Sequence, residues 1–225
     1  MLILAFESSC DDTSVALLRD SELISMYTHT QWEHEKTSGV VPEVAARLHA
    51  DHVFPLIDAV LKESGIRIED VDMFACTKEP GLVPSLLVGK TVAKMFAQMY
   101  GKPLVWVNHI EAHVFSVFLD RSRNDIHFPA VVLSASGGHN DLFYWKSLNE
   151  LERIGWTRDD SAWESMDKVG REMGLPFPSG PYMDKAATKW QNKKWEIKNE
   201  KSVSDRLFPI PLLEKDSLDF SFSGC

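Results

Sequence analysis

Two histidines four residues apart, His109 and His113, follow the apolar run Pro103–Val107. On a helix this spacing puts both imidazoles on one face, one turn apart, where they can share a metal ion. Such pairs also occur in helices that hold no metal. The junction of a strand and a helix, however, is where α/β folds build sites. Two histidines are too few for a metal, so a further ligand, a carboxylate, must come from elsewhere. The nearby glutamate, Glu111, stands two residues after His109, about 200° around a helix of 3.6 residues per turn. A peptidase of the His-Glu-x-x-His type needs that glutamate beside the first histidine, so such chemistry is not expected.

Three more stretches carry groups suited to a nucleotide. Ser136-Gly137-Gly138-His139 follows the apolar run Ala130–Leu133. Glycine allows positive φ and carries no Cβ, so successive backbone N–H groups can converge on a phosphate, although a plain tight turn has the same composition. Glu7, Ser8, Ser9 and Asp11 lie in the hydroxyl- and carboxylate-rich segment Glu7–Thr13. Its hydroxyls suit phosphate oxygens and its carboxylates suit a cation; the plainer reading is a polar hairpin turn. Asp167 and Asp184 flank Ser179-Gly180-Pro181, and carboxylates accept two hydrogen bonds from ribose hydroxyls. Asp159, Asp160 and Glu164 read as ordinary carboxylates at a helix start.

These residues must be positioned by strands and helices. Leu2–Phe6, Ser14–Leu18 and Leu23–Tyr27 read as an antiparallel meander. Helical spacing runs from Val44 to about Leu61, then from Ser85 to Met99 and from His109 to Leu119, with strands at Asp72–Thr77 and Pro103–Val107 between them. After a polar break at Asp120–Asn124, the strands Ala130–Leu133, Leu142–Trp145 and Leu151–Gly155 precede helices at Ser161–Met173 and Pro181–Trp190. Both halves open with strands and continue with helices. That pattern predicts two α/β lobes, residues 1–120 and 125–225.

Composition narrows the class. A chain of 225 residues with 44% hydrophobic and 25% charged residues is a globular protein large enough for two cores. Met1–Phe6 lacks a basic start and meets Glu7 at once, so it predicts a strand and no signal peptide. No run approaches a membrane span. Three dispersed cysteines suit a reducing, cytoplasmic setting. A net charge of −9 argues against nucleic-acid binding over the whole surface. The segment Lys185–Lys201, with Trp190 and Trp195, reads as a solvated helix face or as an RNA-facing patch.

Together these stretches resemble the TsaD family of tRNA threonylcarbamoyltransferases, formerly described as glycoproteases. The resemblance is carried by Phe6–Thr13, Ser38–Glu43, Pro80–Val83 with Ser85–Gly89, Val107–His113, Ser136–His139, Met166–Lys168 and Asp219–Gly224. It implies an α/β fold of the actin/Hsp70/sugar-kinase (ASKHA) type, with nucleotide bound between two lobes. It implies transfer of a threonylcarbamoyl group from threonylcarbamoyl-adenylate to N6 of the adenosine 3′ to the anticodon, in tRNAs reading ANN codons. By position, His109 and His113 would hold one iron or zinc ion. Ser134, Ala135, Ser136, Gly137 and Gly138 would receive the phosphate and acyl region of ATP or the adenylate, and Asp167, Gly180 and Asp184 its nucleoside. No protein nucleophile is implied.

Expected partners are tRNA and TsaB-type and TsaE-type subunits, with a homo-oligomer as a further option and no membrane. Glu79, Pro84, Trp163 and Ser179 depart from the family's small residues. The family runs on past Gly224 through a helical stretch with a third metal ligand, an aspartate. The resemblance therefore implies an incomplete second lobe here and an inactive 225-residue form. The competing readings are a non-catalytic scaffold and a nucleotide-binding protein of the sugar-kinase type.

Overall fold

The computed structural model describes residues 1–37, 39–119, 121, 123–196 and 216–223, without the side chains of 35–37, 123 and 190–196. The chain divides into two compact units, Met1–Arg121 and Ser122–Cys225.

The first unit is a five-stranded sheet backed by two helices. Strands β1 (Leu2–Glu7), β2 (Asp12–Arg19) and β3 (Glu22–Thr30) form the expected meander. Helix α1 (Pro42–Ser64) then crosses over to β4 (Met73–Glu79), and α2 (Val83–Tyr100) crosses to β5 (Leu104–Asn108). The strand order is β3-β2-β1-β4-β5, and β1, β4 and β5 are parallel. Each crossover helix starts with proline in its first turn and stops at a left-handed glycine, Gly65 (φ 66°) and Gly101 (φ 62°). Proline fits where no intrahelical N–H bond is needed, and glycine takes the left-handed cap without a Cβ clash.

Alternation along the strands gives the two sheet faces different roles. Leu4, Phe6, Val15, Leu17, Phe74 and Cys76 turn toward α1 and α2 and pack on Val53, Ile57, Val60, Val92 and Ala93. Phe6, Phe74 and Phe96 stack there, with centroids 5.8–6.5 Å apart. The opposite face carries small residues at its centre. Ala16, Ala5 and Ala75 are neighbours across three strands.

The helix expected over His109–Leu119 is shorter. Helix α3 covers His109–Phe115, and Ser116–Phe118 continues as a 3-10 turn. Ser116 Oγ donates to the His113 carbonyl at 2.7 Å, a local bond of the kind that competes with helix continuation.

The second unit has an antiparallel sheet in the order β6-β7-β8, from β6 (Ala130–Ala135), β7 (Asn140–Ser147) and β8 (Glu150–Trp156). Trp145 is fully buried, with Phe128 edge-on to it. Helix α4 (Ala162–Glu172) starts at a capping box of Ser161 and Glu164, and α5 covers Gly180–Glu196. The segment 216–223 joins the end of β8 through a parallel bridge between Thr157 and Phe220. Leu218 O lies where a Cβ on Gly155 would stand, so only glycine admits this approach. Among the described residues no helix is long and apolar enough to cross a membrane.

Candidate metal and nucleotide sites

The parallel strands β1, β4 and β5 end at one edge of the first sheet, the edge at which open α/β sheets collect ligands. Glu7, Thr77 and Asn108 lie there. Asn108 caps α3, its Oδ1 accepting from the N–H groups of Ile110 (2.9 Å) and Glu111 (3.2 Å). The cap starts the helix at His109 and sets the direction of both histidines. Their Nε2 atoms stand 3.0 Å apart.

Glu7 is the centre of the supporting network. Its Oε1 accepts from Ser9 N at 2.5 Å, and its Oε2 accepts from Thr77 Oγ1 and lies 3.1 Å from His109 Nδ1. Ser9 Oγ lies 3.2 Å from the same Nδ1. Burial alone pushes the Glu7 carboxyl up, but hydrogen bonds from His109, Ser9 and Thr77 outweigh it and bring it down to about 2. Glu7 is therefore an anionic acceptor at neutral pH. Ser8 faces the helices instead. Its buried Oγ donates to Ser85 O at 2.9 Å and accepts from Gly89 N at 3.2 Å. The Asp11 carbonyl accepts from Gln31 N.

A cavity of about 420 Å³ opens beside the histidines, lined by Ala5, Glu7, Ala16, Ala75, Thr77 and His113 among others. Cys76 also borders it. Burial, and then the Glu7 charge, push that thiol up to about 12, so it remains neutral and unsuited to act as a thiolate.

The histidine pair fits a metal in its donor chemistry. Imidazole nitrogens bind zinc or iron, and one cation with bonds of about 2.0–2.1 Å reaches two nitrogens at the observed separation. Among the described residues no group of three or more His, Cys, Asp or Glu is placed to hold a metal ion. A metal held by this pair would need further ligands from elsewhere.

The second unit carries the residues expected to bind nucleotide, in two groups, one at the β6–β7 hairpin and one between α4 and the start of α5. Ser136 N donates to His139 O at 2.9 Å, closing the β6–β7 hairpin. Neither Gly137 nor Gly138 takes a positive φ. The hairpin closes without a left-handed residue, and the space over both glycines is open to 4 Å. Ser134 and Ala135 pair with Asp141 and Asn140 at the base of this hairpin. The hairpin meets the start of α4: Ser161 Oγ donates to Gly137 O (2.7 Å), and Ala162 N donates to Asn140 Oδ1 (2.7 Å). Further along α4, Asp167 Oδ1 accepts from Ser179 N at 2.6 Å, which places Asp167 beside Gly180. The Trp163 ring occupies the space of a Cβ on Gly180. Asp184 lies one turn along α5.

Sequence reasoning missed three roles. Thr77 and Asn108 support the histidines; an asparagine at a strand-to-helix junction is itself a cap signal. Asp159 is no ordinary helix-start carboxylate. It accepts from Ser221 Oγ, Phe222 N (2.9 Å), Ser223 N (3.3 Å) and Ser223 Oγ (2.8 Å). The Ser221 hydroxyl first, then the Phe222 and Ser223 donors, hold its carboxyl well below the usual range. The basic segment Lys185–Lys201 lies partly outside the described residues, and the side chains of Trp190 and Trp195 wholly so.

The family model described as TsaD, tRNA N6-adenosine threonylcarbamoyltransferase, matches residues 22–225. The chain belongs to this family. A relative of that name from Kosmotoga olearia is 43% identical over 225 residues, which is 100% of this chain and 64% of the relative. One from Staphylococcus epidermidis is 43% identical over 99% of this chain and 62% of its own length. One from Geotalea uraniireducens is 41% identical, with 62% of it covered. The chain thus spans under two thirds of the length of these curated relatives. Among solved structures, YeaZ from Pseudomonas aeruginosa aligns over 68% of this chain and 65% of its own, with a TM-score of 0.48 and 18% identity. The ethanolamine utilization protein EutJ from Carboxydothermus hydrogenoformans aligns over 90% and 73%, with a TM-score of 0.47 and 13% identity.

Proposed function

We propose that this chain carries the core of a tRNA N6-adenosine threonylcarbamoyltransferase, and that its two units are the lobes of an actin/Hsp70/sugar-kinase fold. Membership of the family supports the reading. The observation that carries it is the His109–His113 pair, with Nε2 atoms 3.0 Å apart at the carboxyl edge of the parallel strands.

The reaction joins N6 of the tRNA adenosine to the carbamoyl carbon of threonylcarbamoyl-adenylate. The bond from that carbon to the phosphate oxygen breaks, AMP leaves, and N6 gives up a proton. The adenylate brings its own leaving group, so positioning and charge stabilisation suffice without a protein nucleophile. A zinc or iron ion, when bound, supplies a Lewis acid. His109 and His113 would hold it, with the remaining positions filled by water, substrate or residues other than those described. The Ser134–Gly138 hairpin would receive the phosphate region, where the open space over Gly137 and Gly138 admits a ligand. Asp167, Gly180 and Asp184 would hold the nucleoside of ATP or the adenylate. Glu7, Ser9 and Asp11 of the first unit would form a phosphate loop, with Ser8 bonded into the core.

The partners we propose are tRNA and TsaB-type and TsaE-type subunits, in the cytoplasm. The test supplies those subunits, tRNA and threonylcarbamoyl-adenylate to this chain and to a full-length relative carrying the same substitutions. Modified adenosine is then measured by mass spectrometry. Loss of product on replacing either histidine of the pair is expected. Full product without both histidines rejects the reading.

A further inference from the structure

We propose that Glu7 is a positioning residue for the histidine pair, holding His109 as the tautomer with hydrogen on Nδ1 so that its Nε2 lone pair faces His113. The inference rests on the reading of His109 and His113 as a metal pair. Glu7 stands 102 positions from His109 in sequence and meets it at 3.1 Å. Its carboxylate is fixed from two other sides, by Ser9 N on Oε1 and by Thr77 Oγ1 on Oε2. A carboxylate in that state only accepts, so the contact with His109 requires Nδ1 to donate. The Ser9 hydroxyl is also within reach of Nδ1, at 3.2 Å. Donation from it would favour the opposite tautomer. The bond to an ionised acceptor is the stronger of the two, and the hydroxyl is free to rotate and accept.

The consequence reaches His113. Two Nε2 atoms 3.0 Å apart need one hydrogen between them in the metal-free protein. With His109 protonated on Nδ1, that hydrogen sits on His113. Metal-binding histidines commonly donate their second nitrogen to a carboxylate, which orients the ring and raises its basicity.

Glu7→Gln separates this role from packing. The Ser9 amide fixes an oxygen at the Oε1 position, so the Gln NH2 group takes the Oε2 position and aims a donor at Nδ1. Thr77 adapts by rotating its hydroxyl. His109 must then accept on Nδ1 and carry its hydrogen on Nε2, the nitrogen that the metal needs. The experiment measures the imidazole nitrogen shifts of the metal-free 225-residue chain by NMR, and its Zn²⁺ affinity by competition with a chelating dye. Wild type should show hydrogen on His109 Nδ1. Glu7→Gln should move it to Nε2 and weaken Zn²⁺ by about 10–100-fold, whereas Ser9→Ala should leave both readings in place. Hydrogen on His109 Nε2 in wild type overturns the proposal without any variant. So does unchanged Zn²⁺ affinity in Glu7→Gln when His109→Ala and His113→Ala each lose it. If neither histidine variant weakens Zn²⁺, the metal reading itself fails.

Discussion

Replacing Gly89 by alanine should destabilise the first unit through one atom, Ser8 Oγ. Gly89 lies inside α2, where a Cβ would stand 2.5 Å from Ser8 Oγ, 3.4 Å from Cys76 Sγ and 3.5 Å from Ser8 Cβ. The last two are ordinary contacts and the first is a collision. To relieve it, Ser8 must leave its bonds to Ser85 O and Gly89 N. Overpacking together with a buried hydroxyl left unsatisfied costs about 2–4 kcal/mol. The better helix propensity of alanine returns about 1 kcal/mol, so the net loss is about 1–3 kcal/mol. In a Ser8→Ala background the colliding atom is gone. There Gly89→Ala should be neutral or stabilising by up to about 1 kcal/mol. Urea unfolding of the four proteins, followed by circular dichroism, closes a double-mutant cycle with an expected coupling of about 1–4 kcal/mol. An equal cost of Gly89→Ala in both backgrounds refutes the collision as its cause.

Other outcomes follow from the second unit. Gly155→Ala should release the segment 216–222 from β8, because Leu218 O fills the Cβ position; faster proteolysis there checks this, and unchanged cleavage rejects it. The depressed carboxyl of Asp159 contributes stability that is fully present above its ordinary value of 3.8 and is lost progressively as pH falls from there through the lower folded value. The Phe222 and Ser223 amide resonances should hold their neutral-pH positions down past 3.8, and a transition at or above 3.8 would contradict the clamp. Asp167→Ala should weaken adenine-nucleotide binding by about 1–3 kcal/mol, read by calorimetry; unchanged affinity removes Asp167 from the site.

Much of this structure was legible in the order of residues. The meander, the crossover helices and the histidine spacing are local signals, and strands β1–β5 form where alternation and turn residues place them. The Glu7–His109 contact has no local signal. It arises because β1, β4 and β5 run parallel and end together, which brings together residues some hundred positions apart. Asp159 was misread for a similar reason. Its place just before α4 suggested a helix carboxylate, yet donors more than sixty residues later compete for it and win. The Ser136–His139 bond closes the β6–β7 hairpin with neither Gly137 nor Gly138 at positive φ, a detail that the composition of the turn leaves open.

The alanine-lined sheet face has a consequence for recognition. Ala5, Ala16 and Ala75 have no rotamers, so their contribution to the cavity wall is fixed by the strands themselves. Burying such a surface costs no side-chain entropy. A guest loses its own freedom there but finds no side-chain freedom in these three alanines to suppress. Selectivity against these three alanines is therefore a matter of shape written into strand register, while any adaptation of the wall falls to neighbours such as Met26.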